Sequence, residues 1–160
     1  MRATLENSRL NVIPLEEEIQ SLENYLAMEK MSRNNSFDYD IKIVGTTDPT
    51  SLIPPMLIQP FVENAVIHGV AHVPEGGKIE VNFTQRNGFL EAMILDNGIG
   101  RAAAKERKSQ IDAQHKSVAL TVTQERLNLL GNQQDGYKRL EINDVSEEGK
   151  VVGTKVLLRI

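Results

Sequence analysis

The sequence predicts a two-layer α/β sandwich in which a mixed, mostly antiparallel sheet packs against about three helices. Three observations carry that prediction. Stretches with apolar residues three and four apart mix with stretches of alternating apolar and polar residues, without strict helix–strand alternation. Asn87-Gly88 separates two of the alternating runs, and such a pair signals a tight hairpin whose two turn positions need positive φ. A chain of 160 residues with 40% hydrophobic content is the size of one domain with an adequate core.

Composition narrows the function classes. Only 4% of residues are aromatic and none is Trp, so the core must come mostly from Leu, Ile, Val and Met. The net charge of −4, with no long basic run, argues against nucleic acid as the main partner. With no cysteine, a disulfide framework and a thiolate metal site are both ruled out. No apolar run approaches the roughly 18 residues that span a membrane, and no signal-peptide pattern opens the chain. These features predict a soluble, intracellular domain.

Residues 1–13 are polar and mixed and form a lead-in, so the domain is expected over 14–160. A helix is expected from Pro14 to Arg33, with Leu15, Ile19, Leu22 and Leu26 facing inward. Glu16, Glu17 and Glu18 near its start and Lys30 and Arg33 near its end suit the helix dipole, and the acidic run reads as a solvated helix start. Asn34-Asn35-Ser36 breaks it. Phe37, Tyr39, Ile41 and Ile43 alternate with polar residues in a half-buried strand. A loop over 45–51 delivers the chain to a second helix.

That helix is the run from Ile53 to Gly69. Pro54 and Pro55 suit its opening, and Pro60 predicts a kink or restart. Leu57, Phe61 and Ala65 form one stripe, with Ile58, Val62 and Val66 beside it. Asn64 and His68 share another face. A carboxamide in so apolar a run needs a partner when buried, either a loop that it caps or braces or a hard cation such as magnesium.

Downstream, Ile79, Val81 and Phe83 mark a strand, and Phe89 to Leu95 returns from the hairpin as a central one. It ends at Asp96-Asn97-Gly98-Ile99-Gly100. Asp96 can accept a hydrogen bond from an exocyclic amino group such as that of adenine. Gly98 and Gly100 let backbone approach a flat ring, although a plain Asp-Asn-Gly turn would look the same. Arg101 to Lys108 is expected as a short polar helix and Ser109 to Lys116 as loop. Ser117 would cap a helix to about Leu130, ended by Gly131. Lys105, Arg107, Lys108 and Lys116 offer cations, and the helix after Ser117 offers amides to phosphate. Leu140 and Ile142 belong to a fourth strand, and Val151 to Ile160 to a last one interrupted at Gly153-Thr154, where the Thr154 hydroxyl could stand beside Asp96. His68 and His72 are four apart, but no third ligand supports zinc.

The series Gln-Pro-Phe-Val-Glu-Asn-Ala-Val-Ile-His-Gly, Asp-Asn-Gly-Ile-Gly, His-Lys-Ser-Val-Ala-Leu and Gly-Thr-Lys-Val resembles the ATP-binding domain of LytS-like sensor histidine kinases. These belong to the GHKL superfamily that also holds gyrase and MutL. Ile-Pro-Leu-Glu-Glu-Glu-Ile and Leu-Glu-Asn-Tyr-Leu-Ala-Met-Glu-Lys extend the likeness over nearly the whole chain. The resemblance implies a Bergerat-type sandwich and a site for ATP and magnesium. Asn64 would hold the metal, Asp96 the adenine amino group, and Gly98 and Gly100 the purine pocket. Thr154 would support Asp96, and His68, Lys116 and Ser117 would lie toward the phosphates. Arg101 to Ser117 would be a lid, and 1–13 the end of a linker from a dimerisation and phosphoacceptor region. The family's Pro-His-Phe-Leu-Phe-Asn-like acceptor stretch has no counterpart here, so this fragment alone would be inactive. A response regulator and a homodimeric parent anchored in the plasma membrane, with this domain in the cytoplasm, complete the implication. One departure stands out. The usual lid glycines read His115, Ser117 and Ala119, where side chains would stiffen the lid or crowd the phosphates. A nucleotide-binding module without turnover, and a protein serine kinase or ATP-driven switch of the same superfamily, therefore stay open.

Overall fold

The structure, a computed structural model, describes residues 11–106, 121–130, 136 and 138–160. A short β1 (Ile13–Pro14) pairs antiparallel with β3 (Leu52–Ile53), an association that two-residue strands give no pattern to foretell. Between them lie α1 (Leu15–Ser32) and β2 (Phe37–Val44). Pro14 caps α1 with extended backbone, and Asn34 and Asn35 end it in left-handed conformations that asparagine tolerates. Leu15, Leu22 and Leu26 are fully buried, as their spacing requires. Glu18 is buried with them, so the acidic run is solvated only at Glu16 and Glu17.

The second helix, α2, spans Gln59–Asn64 and does not open at Pro55 as expected. Met56 has a φ of 56°, which stops helical geometry before it begins. Pro60 instead occupies the first turn, where its missing N–H costs nothing. A π-helical turn, Ala65–Gly69, and a 3-10 turn, Val70–His72, continue the chain. Leu57, Ile58, Phe61, Val62, Ala65 and Val66 are all buried, so both expected stripes face the core.

β4 (Gly77–Arg86) and β5 (Phe89–Asp96) form the hairpin, with φ of 52° at Asn87 and 80° at Gly88. After α3 (Arg101–Glu106) comes α4 at residues 121–129, then β6 (Leu140–Glu147) and β7 (Lys150–Arg159). The five-stranded sheet runs in the order β2-β4-β5-β7-β6, parallel only between β2 and β4. β5 is its centre. β7 is not interrupted at Gly153-Thr154; the ladder with β6 slips one residue earlier, where Val145 faces Gly153 and Ser146 faces Val151. A single extra residue absorbs the irregularity and leaves Thr154 in register.

Strand alternation turns Ile79, Val81, Phe83, Ala92, Ile94 and Leu158 toward the helices, where they meet Leu22, Phe61, Val62 and Leu127 in one core. Each such Val, Ile, Leu or Phe side chain contributes about 1.5–3 kcal/mol by leaving water. The opposite face carries charged pairs such as Lys42 with Asp40 and Lys78 with Glu80.

Candidate functional site

Asp96 ends β5 on the inward register of that strand and is only 6% exposed. A carboxylate at this depth is fixed by what surrounds it. Its Oδ1 accepts the Gly98 amide at 2.9 Å. β4 supplies Ile79 on one side, and β7 supplies Thr154 on the other. Thr154 in turn faces Asp144 of β6, so Asp96, Thr154 and Asp144 form a polar row across three strands.

Glycines close the corner. A Cβ on Gly69 would stand 2.7 Å from Asp96 Oδ1, and one on Gly98 only 2.3 Å from the Gly69 Cα. Gly98 thus admits the backbone of the π-helical turn, and through this contact the helix bearing Asn64 and His68 is seated against the end of β5. Widened turns of this kind recur at functional sites. Gly153 has no room either, since its Cβ would fall 1.9 Å from the Asp96 carbonyl oxygen. Asn97 braces the loop from outside, accepting the Lys78 amide at 2.6 Å and donating to the Gly76 carbonyl at 2.8 Å.

Asn64 is half-buried and makes no side-chain hydrogen bond to a described residue, so its carboxamide does not brace a described loop. His68 is half-buried in the π-helical turn, whereas His72 is exposed. Close by, burial pushes the Tyr25 hydroxyl up to about 12, helped by Glu29 and by Glu63 beside Asn64, with Arg33 opposing. Gly100 takes a φ of 79°, and a Cβ there would meet Val151 at 2.3 Å. The next residue starts α3 and is tied to the sheet edge: the Arg101 amide donates to Asp144 Oδ1 at 3.0 Å and its guanidinium to the Ile142 carbonyl at 3.1 Å.

The structure therefore gathers Asp96, Gly98, Gly100 and Thr154 around one end of β5, with His68 next to the Gly69 contact and Asn64 five residues before it on the same helical run. The side chain of Lys105, and Arg107, Lys108, His115, Lys116, Ser117 and Ala119, lie outside the described residues. Gly69 and Asp144 were missed from sequence. Gly69 had a signal in directly following His68, and Asp144 had one as an acid on the inward alternation of Leu140 and Ile142. Among the described residues no three His, Asp or Glu side chains gather as metal ligands. An isolated carboxamide oxygen fits magnesium, which commonly takes one or two protein ligands and completes its shell with phosphates and water.

No family model matches the chain. The sensor protein LytS of Bacillus anthracis is 29% identical over 162 aligned positions, covering 97% of this chain and 27% of that protein. The sensor histidine kinase/phosphatase LytS of Staphylococcus aureus strain Mu50 is 30% identical over 100, covering 62% of this chain and 17% of that one. The chain thus spans about a quarter or less of these relatives. Among solved structures, a nucleotide-free form of the catalytic domain of histidine kinase ThkA superposes with a TM-score of 0.61 at 12% identity, covering 94% of this chain and 95% of that one. Along nearly its whole length the chain is homologous to the LytS-type sensor histidine kinases, and it has the fold of histidine-kinase catalytic domains.

Proposed function

We propose that this chain is the ATP-binding catalytic domain of a two-component sensor kinase. It would transfer the γ-phosphoryl group of Mg-ATP to a histidine outside the chain, for relay to an aspartate of a response regulator. The observation that carries the reading is the buried Asp96 at the end of the central strand, locked through Gly98 and Gly69 to the helix that presents Asn64. Asp96 would accept the adenine amino group, with Thr154 at its side. Asn64 would ligate magnesium, which when bound neutralises charge on the phosphates. Phosphoryl transfer asks little covalent chemistry of the protein, so its residues act by positioning and by excluding water. Lys116 and Ser117 would face the phosphates, with His68 nearby.

The acceptor histidine would lie in a dimerisation region of a homodimeric parent anchored in the membrane, leaving this domain in the cytoplasm. Among the described residues, no helix is long and apolar enough to cross a membrane. Calorimetric titration with magnesium and a non-hydrolysable ATP analogue tests the site, with binding expected in the unaltered chain and strongly weakened in Asp96→Asn. Phosphorylation of the longer cytoplasmic portion of the parent tests turnover, and full activity in its Asn64→Ala variant would sink the assignment. A second reading rests on His115, Ser117 and Ala119 at the usual lid glycines. Under it the domain binds nucleotide without turnover, and that longer portion would bind the analogue yet transfer no phosphate.

A further inference from the structure

Glu18 is 2% exposed, on the inner face of α1 between Leu15 and Leu22. An acid among leucines is costly to desolvate, so its position calls for a polar task. The Met56 amide donates to Glu18 Oε2 at 3.0 Å, and Met56 holds the left-handed backbone that keeps α2 from starting early. From the other side the Arg126 guanidinium of α4 donates to the Pro55 carbonyl at 2.8 Å. Burial raises the Glu18 pKa, while the Met56 and Ile58 amides and the Arg126 charge act in the opposite sense. The turn at 54–58 is thus gripped between an acid on α1 and a base on α4. α2 begins at the next residue, Gln59, and ends with Asn64.

We propose that Glu18 and Arg126 are positioning residues that clasp the 54–58 turn and so set the distance between the Asn64 helix and α4 across the nucleotide site. This inference rests on the nucleotide-binding reading above. The clasp thus joins α1 and α4 to the turn from which the helix bearing Asn64 starts. Met56 is exposed and contributes little packing of its own, which leaves its backbone as what the clasp holds.

The test titrates the unaltered chain, Glu18→Met, Arg126→Met, their double variant and Arg126→Lys with AMPPNP and magnesium, and records each melting temperature. Methionine can neither accept the Met56 amide nor donate to the Pro55 carbonyl. Each single methionine variant is expected to bind about 10-fold more weakly, and the double variant within about 2-fold of the worse single, because both act on one turn. Arg126 is half-buried, so Arg126→Met should melt within about 3 °C of the unaltered chain. Lysine still donates to a carbonyl, so Arg126→Lys should recover most of the affinity; a merely structural role would not give that pattern. Singles that bind normally, losses that multiply in the double variant, or a lysine variant as weak as the methionine one would each overturn the clasp. If Glu18→Met fails to fold, the two Arg126 variants decide. No binding by the unaltered chain would overturn the nucleotide-site reading itself and the clasp's role with it, a result distinct from variants that match a chain that binds.

Discussion

On the inner face of β5 the Asp96 carboxylate meets Gly69 and Gly98, and its carbonyl meets Gly153, all at distances no Cβ could enter. On the outer face Glu91 meets the Arg159 guanidinium at 3.0 Å, and Arg159 also reaches Glu141 of β6 and the Lys138 carbonyl. That hydrogen bond from Arg159 holds the Glu141 carboxyl below the usual carboxylate range. The first corner is closed by backbone, which cannot yield without moving a strand. The second is closed by long side chains that can rotate and exchange partners for water. Polar contacts of similar length therefore differ in how much change they tolerate.

Gly153→Val is the hardest push on that contrast. It should cost at least about 3 kcal/mol and lower the melting temperature by several degrees or prevent folding, because the obstacle is the Asp96 backbone. A variant melting normally would mean that the inner corner has slack. Next comes Asp96→Asn, expected to keep the fold but weaken ATP-analogue binding about 100-fold, since the site would present a donor to an amino group. Unchanged affinity in calorimetry would break the link between the buried corner and nucleotide. Arg159→Met, on the outer face, should shift the melting temperature by only about 2–4 °C and leave nucleotide affinity alone. A large loss of binding would make the two faces one coupled unit.

The smallest expected effect concerns Glu18, a buried acid belonging to neither corner. Burial raises its carboxyl above the ordinary 4.5, so the folded chain retains a proton that the unfolded chain releases above that pH. Its contribution to stability is full below pH 4.5 and is lost as pH rises through the folded value. Denaturant titrations from about pH 4 to about pH 8 should show that decline lessened in Glu18→Gln. An unchanged slope would place Glu18 with the solvated acids.

The elements legible in the sequence are those with a periodic signal longer than a turn. α1, both stripes of α2 and the Asn87-Gly88 hairpin follow from spacing and from φ requirements that few residues meet. The buried strand end at Asp96 was legible because a polar residue closing an apolar run is conspicuous. The illegible features are set by tertiary geometry. Helical spacing sets Glu18, three after Leu15 and four before Leu22, on the inward stripe that Glu16 and Glu17 miss, but only the turn at Met56 supplies the partner that makes its burial tolerable. The π-helical turn at Ala65–Gly69 leaves the apolar pattern intact and shows itself only in what Gly69 touches. The parallel pairing of β2 with β4 depends on how the intervening helix crosses the sheet, which strand composition does not encode. Pro54 and Pro55 signalled a helix start that the left-handed backbone of Met56 moves to Gln59, where Pro60 takes the first turn as the expected restart.

The order of strands also bears on how the domain assembles. β4 and β5 are joined by two residues, so their hairpin closes a minimal loop and can form within microseconds of emerging. Its neighbour β7, which brings Thr154 to Asp96 and Gly153 to the backbone behind it, becomes available only after residues 97–153 have been made. Pairing them spans a long stretch of chain, and such non-local contacts form slowly. A nascent domain can therefore own Asp96 for some time with one wall of its pocket missing. In refolding, secondary structure should recover before the chain regains the packed corner around Asp96.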